Sequence, residues 1–179
     1  METIRIKDKA FKPYIPEAKV KTAIANMAKE IKKDIEGKDP LFTCILNGSF
    51  MFVADLMKEL DGTYEMAFAR YSSYQGTDST GKVREIMPLK TNIKGRTIFL
   101  LEDIVETGTT MRFVMDKLRS QGAAEVKLAT MLYKPTEMCN GITPDYVAME
   151  ISNEFIVGYG LDYDGFGRGL KDIYQICDK

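Results

Sequence analysis

The 179-residue chain contains no histidine. That absence removes the serine–histidine and cysteine–histidine nucleophile systems and the commonest side-chain ligand of transition metals. Acid–base work then falls to carboxylates, lysine or tyrosine, and any metal is expected to be a hard cation held by oxygen, with Mg²⁺ bound partly through a phosphorylated substrate as the favoured case. Cysteine is scarce: Cys44, Cys139 and Cys177 stand far apart without paired-ligand spacing, which fits a reducing compartment better than a disulfide framework or a zinc site. There is no excess of positive charge, since 25 lysines and arginines face 26 acids for a net charge of -1. No overall field draws nucleic acid or an anionic membrane, so phosphate binding has to be local. Long apolar runs are also missing. The opening METIRIKDKAFK alternates charged and apolar residues, so neither a secretory signal nor a spanning helix is expected, and the expected location is the cytoplasm.

What is present suits one compact core, because 45% of the residues are hydrophobic and the length argues against two full domains. After an extended start, Val20, Ile24, Met27, Ile31 and Ile35 recur at helical spacing and predict an amphipathic helix over residues 16–35. The run LFTCILNG at 41–48 reads as a strand ending in Asn-Gly, and residues 49–60 read as a helix. Residues 64–71 suggest a strand, and the polar SSYQGTDSTGK at 72–82 a mobile loop. TIFLL at 97–101 has the pattern of a strand buried on both faces, leading through EDIVETGTT to a helix near 110–120 that Gly122 can stop. A strand at 126–133 completes a strand–helix alternation that implies a parallel sheet flanked by helices. The strand-like tail, YVAMEI and EFIVGYGLDY, is expected to form a small subdomain over the sheet edge.

In open α/β sheets ligands collect beyond the carboxyl ends of the strands, which singles out residues 102–110. Thr107, Gly108, Thr109 and Thr110 fall where a helix begins, so backbone N–H groups, hydroxyls and the helix dipole can cradle a phosphate monoester without a basic patch. Glu102 and Asp103 are adjacent carboxylates suited to vicinal hydroxyls, such as those of a ribose, or to metal-bound water. A local alternative stands beside this one, in which the acids cap the helix and Thr-Gly-Thr-Thr is only a turn.

The segment LLEDIVETGTTM resembles the signature of type I phosphoribosyltransferases, and DYVAMEISNEFIVGYGLDYDGFGR narrows the resemblance to the hypoxanthine(-guanine) subfamily. LNGSFMFVADL, SSY and STGKV match in order, and the resemblance covers about residues 3–177. It implies a parallel sheet flanked by helices with a small hood, formed by about residues 140–179 together with N-terminal residues, all within a single domain over 1–179. It also implies that Glu102 and Asp103 hold the ribose hydroxyls of phosphoribosyl pyrophosphate, that residues 107–110 bind its 5-phosphate, and that Glu106 acts as general base. Asn47 and Gly48 would contact pyrophosphate through backbone amides across a cis Leu46–Asn47 peptide, and Arg168 would grip the same leaving group. Phe155 would stack on the purine, the Ile156 backbone would read its edge, and Asp162 would lie near base and metal. Ser73 and Tyr74 would belong to a covering lid. Mg²⁺ would be held by Asp162, Glu102 and Asp103.

Three positions depart from the subfamily pattern. Glu106 replaces the usual aspartate, which keeps the charge but lengthens the arm by one methylene. Thr143 stands at the purine-binding position normally occupied by a lysine that donates to the purine 6-oxo group, and Thr109 stands where a basic residue often occurs. The expected activity is transfer of 5-phosphoribosyl to N9 of hypoxanthine, with guanine as a second acceptor, releasing pyrophosphate in purine salvage. A homo-oligomer, dimer or tetramer, is the expected assembly. The rivals are a phosphoribosyltransferase of altered base preference, motivated by Thr143, and a non-catalytic nucleotide-sensing protein of the same fold, motivated by Thr143 and Glu106 together.

Overall fold

The structure is a computed structural model that describes residues 2–73, 83–135 and 142–177. Its elements, in chain order, are β1 (Ile4–Ile6), β2 (Lys9–Ile15), α1 (Glu17–Ile35), β3 (Pro40–Leu46), α2 (Phe50–Leu60), β4 (Glu65–Ser73), β5 (Val83–Met87), β6 (Thr97–Val105), α3 (Thr109–Ser120), β7 (Glu125–Tyr133), β8 (Tyr146–Glu150), β9 (Ile156–Val157) and β10 (Ile173–Ile176). Six strands form the main sheet in the order β5-β4-β3-β6-β7-β8. All neighbours are parallel except β5, which runs antiparallel to β4.

The hydrophobic pattern explains the layers. The helical repeat of α1 buries Val20, Ile24, Met27, Ala28, Ile31 and Ile35, and each large apolar side chain so removed from water contributes about 1.5–3 kcal/mol. With α2 it covers one face of the sheet, against Phe42, Cys44, Phe99 and Leu101. Helix α3 covers the other face, where Met111, Val114 and Leu118 meet Ile98, Leu100 and Leu128. A second sheet, in the order β1-β2-β10-β9, joins the first fifteen residues to the last strand. Phe11, Val157 and Tyr174 form its own apolar cluster.

Three elements differ from expectation. The strand expected to stop at 101 runs on to Val105, so Glu102 and Asp103 lie within β6 rather than past its end. The YVAMEI segment does not join the small sheet; as β8 it pairs in parallel with β7 at the edge of the main one. Residues 83–87, which carry no apolar alternation, form β5 because β4 offers them an open edge.

This strand order fixes where a site can form. The first parallel strand, β3, is followed by β4 on one side and β6 on the other, so the connections diverge between the carboxyl ends of β3 and β6. A crevice opens at such a divergence, and open α/β sheets bind their ligands there.

Candidate active site

A cleft of about 410 Å³ lies at that divergence. Leu46 contributes from the end of β3, Tyr71 and Ser72 from β4, Glu102 from β6, and Glu106 with residues 107–110 from the turn into α3. Gly108 is the residue before the helix and adopts φ 69°, a left-handed conformation open to glycine at little cost. Helix α3 has no side-chain cap at Gly108 and no acid in its first turn. Its first N–H groups and the positive end of its dipole therefore face the cleft, an arrangement that favours an anion.

Along β6 the regular alternation inverts at the two acids. Ile98 and Leu100 pack on the α3 side and Phe99 and Leu101 on the other, yet beyond the acids Val105 packs on the α3 side. The inversion leaves the neighbouring carboxylates close together. Burial, the Asp103 charge and a hydrogen bond to Asp103 push the Glu102 carboxyl well above the usual carboxylate range. Asp103 Oδ1 accepts from the Ile104 N–H at 2.8 Å, while Oδ2 lies where a side chain on Gly48 would stand, 1.5 Å from an ideal Cβ.

Gly48 joins this acid to the small sheet. The Leu46–Asn47 peptide bond is cis, and after it the Gly48 carbonyl lies 1.9 Å from where a Cβ on Gly160 would be. The Gly160 carbonyl accepts from Arg168 Nη1 at 2.8 Å, and Arg168 Nη2 pairs with Asp162 Oδ1 at 2.6 Å. The second Asp162 oxygen accepts from the Gly165 N–H at 2.6 Å. Asp103, the Asn47–Gly48 turn, Arg168 and Asp162 thus form one continuous chain of contacts beside the cleft.

Glu106 sits on the cleft rim with its side chain 50% exposed, ion-paired with Lys134, whose side chain is 6% exposed. Lys134 is the first residue after β7, and its N–H donates to Val105 O at 2.9 Å. Its partnership with Glu106 depends on β6 and β7 ending side by side.

Other expected residues lie elsewhere. Thr143 does not reach the cleft: it lines a separate depression with Arg112, Asp116, Arg119 and Asp145 on the outer side of α3. The short stretch before β8 carries it to that side, which corrects its expected place against the purine. Phe155 is 47% exposed and meets Tyr163 edge-on at 5.9 Å and Phe11 at 6.3 Å. Ile156 follows in β9, opposite Gln175. Both are carried by the small sheet and not by the cleft lining. Ser73 ends β4, and Tyr74 lies outside the described residues, as does Cys139. Tyr71 was not anticipated in the cleft, although its alternation with Ala67 and Ala69, which face α3, could have indicated it.

Among the described residues no group of three or more histidine, cysteine, aspartate or glutamate side chains is placed to hold a metal alone. The oxygen-only pair Glu102 and Asp103 suits a hard divalent ion that draws its remaining ligands from a phosphate and water, while Asp162 is engaged by Arg168 and the Gly165 N–H. Among the described residues no helix is long and apolar enough to cross a membrane.

The family model described as phosphoribosyl transferase domain matches residues 16–164. The hypoxanthine-guanine phosphoribosyltransferase of Streptococcus thermophilus (strain CNRZ 1066) is 41% identical over 150 residues, 83% of each chain. That of Lactococcus lactis subsp. lactis (strain IL1403) is 41% identical over 165 residues, 91% of this chain and 90% of that one. Among solved structures, a hypoxanthine phosphoribosyltransferase from Staphylococcus aureus superposes with a TM-score of 0.87 at 35% identity, covering 92% of this chain and 90% of that one. A hypoxanthine-guanine phosphoribosyltransferase from Bacillus anthracis gives 0.86 at 31% identity, with 93% and 97% covered.

Proposed function

Because the chain belongs to the phosphoribosyl transferase family, we propose that its cleft transfers 5-phosphoribosyl from phosphoribosyl pyrophosphate to N9 of hypoxanthine, and of guanine, for purine salvage in the cytoplasm. The observation that carries this reading is the shared cleft itself: Glu102 of the acid pair and the N-terminus of α3 line one space at the strand divergence, with Asp103 beside it against Gly48. A sugar phosphate fits both, with ribose hydroxyls donating to Glu102 and Asp103 and the 5-phosphate seated on the N–H groups and hydroxyls of residues 107–110.

The bond from ribose C1 to the pyrophosphate oxygen breaks as the one to purine N9 forms. Arg168 and the amides of the Asn47–Gly48 turn bind the departing pyrophosphate, for which a guanidinium fork is well shaped. Glu106 takes up the purine proton, and Lys134, which holds the Glu106 carboxylate on the rim, assumes the place expected of a lysine at position 143 as a charge-assisted donor to the 6-oxo group. Phe155 and the Ile156 backbone face the purine plane and edge once the small sheet closes on the cleft, and Ser73 and Tyr74 belong to the segment that excludes water. Glu102 and Asp103 on one side and Asp162 on the other would each hold Mg²⁺ only together with the phosphates of the bound donor, whose charge the metal would neutralise. Phe50, Phe68 and Ile86, exposed at 44, 49 and 45%, support assembly as a homo-oligomer.

The test is incubation with donor, Mg²⁺ and one purine at a time, followed by identification of the nucleotide. Inosine and guanosine monophosphates are expected, and chelation of the metal should abolish them. Preference for a base without a 6-oxo group, or donor binding without nucleotide formation, would overturn the reading.

A further inference from the structure

One wall of the cleft carries a polar network to which the reaction as described assigns no task. Tyr71 lines the cleft and is 8% exposed. Its hydroxyl donates to Glu85 Oε1 at 2.9 Å, and Glu85 stands opposite it on β5. Glu85 Oε2 in turn accepts from Lys117 Nζ of α3 at 2.6 Å. The Glu85 and Lys117 side chains are 25% and 27% exposed. The Tyr71 ring also meets Phe113 of α3 edge-on, with centroids 6.4 Å apart.

The placement gives this network leverage. Strand β5 is an edge strand without one buried residue, so apolar packing does little to fix it. Residues 74–82 join it to β4. Helix α3 begins at Thr109 in the cleft, and Lys117 lies roughly 12 Å farther along its axis at 1.5 Å per residue. The single carboxylate of Glu85 therefore ties together the two strands of one wall and the helix whose first turn forms the other. Bonds to an ionised acceptor are the stronger kind, and a half-buried carboxylate bridging two donors holds its neighbours more tightly than an exposed pair.

We propose that Glu85 is a positioning residue that locks the β4–β5 arm to α3 at the separation needed to grip the phosphoribosyl donor, and so sets donor affinity rather than purine affinity or the chemical step. The inference rests on the cleft being the donor site.

Calorimetric titration with phosphoribosyl pyrophosphate and Mg²⁺, steady-state kinetics and thermal unfolding on wild type, E85A, E85Q, Y71F and K117M decide the matter. E85A should raise the donor Kd and KM about tenfold, with the hypoxanthine KM and kcat within about twofold of wild type. E85Q keeps one acceptor oxygen, but sets an amide N–H₂ where the second oxygen accepted and removes the charge, so it should recover only part of the loss. Y71F combined with E85A should be no worse than E85A alone, because the hydroxyl acts through the carboxylate. A fall in Tm with unchanged donor Kd, or parallel weakening of donor and purine, would overturn the proposal. If E85A does not fold, Y71F and K117M carry the comparison, each expected to weaken donor binding about threefold, and unchanged donor Kd in both refutes it. Wild type that binds donor but makes no nucleotide refutes the transfer reaction while the Kd comparison still judges Glu85; wild type that binds no donor refutes both.

Discussion

Replacing Gly48 by alanine tests the contact chain beside the cleft with a single methyl group. The backbone of Gly48 is not in the left-handed region, so alanine meets no conformational objection and the whole effect comes from contact. The new Cβ would stand 1.5 Å from Asp103 Oδ2, 2.7 Å from its Cγ and 3.5 Å from Arg168 Nη1. Ordinary contact needs about 3.5 Å, so the carboxylate or the turn has to move by roughly 2 Å. Asp103 is 9% exposed and bonded to the Ile104 N–H, which leaves it little room to swing away. A displacement of about 1 Å can cost on the order of 100-fold in rate, equivalent to about 2.7 kcal/mol of transition-state stabilisation. We expect kcat/KM for the donor to fall at least 100-fold, and Tm to fall by the few degrees that an overpacking cost of about 1–3 kcal/mol implies. The control is G169A, where a Cβ meets nothing within 4 Å and near-wild-type behaviour is expected. Steady-state kinetics with initial-velocity donor titration measure both variants. G48A with kcat/KM within threefold of wild type would refute the placement of Asp103 against the turn.

Glu106→Gln keeps the shape and removes the base, so single-turnover rates should fall on the order of 100- to 10,000-fold while the donor Kd measured by calorimetry is unchanged; an unaltered rate rules Glu106 out as base. Thr143→Val should leave the KM for hypoxanthine and guanine within about twofold, whereas Lys134→Met should raise both several-fold; the reverse pattern would return Thr143 to the purine site. Hydrogen bonds from Lys127 and then Tyr146 hold the Asp34 carboxyl below its ordinary value, so its contribution to stability is present above the usual carboxylate range and disappears as pH falls through the depressed value. Asp34→Asn should therefore unfold at a lower temperature than wild type at pH 7, with the two melting curves converging in acid; a difference that persists in acid would contradict the assignment.

Much of the architecture was legible because burial leaves periodic traces. The stripe of Val20, Ile24, Met27 and Ile31 marks α1, and the apolar run TIFLL at 97–101 marks a strand covered on both faces. The turn at 107–110 was legible for a local reason, since Thr-Gly-Thr-Thr before an apolar helical repeat marks a helix start. What escaped depends on partners distant in sequence. VREIM becomes β5 only because β4 lies open beside it, and nothing in YVAMEI states that it will pair with β7 rather than with the small sheet. The extension of β6 through two acids was hidden because a carboxylate pair at a strand end reads as the start of a loop. Thr143 shows the limit of carrying a place over by resemblance: the chain there runs along the outside of α3, and Lys134, just past the end of β7, stands beside Glu106.

The pairing of β2 with β10 places a strand from the first fifteen residues beside the last strand. On a ribosome the main sheet gains its last strand once Glu150 has emerged, whereas β2 must wait for residues 173–176 before its long edge is covered. Arg168 and Phe155 belong to that late-closing layer. Ile156, Tyr159, Leu161 and Ile173 of the same late region also enter the core beneath the main sheet, so a nascent chain that has released only the main sheet still lacks part of its own interior. Competence is withheld until translation is nearly complete.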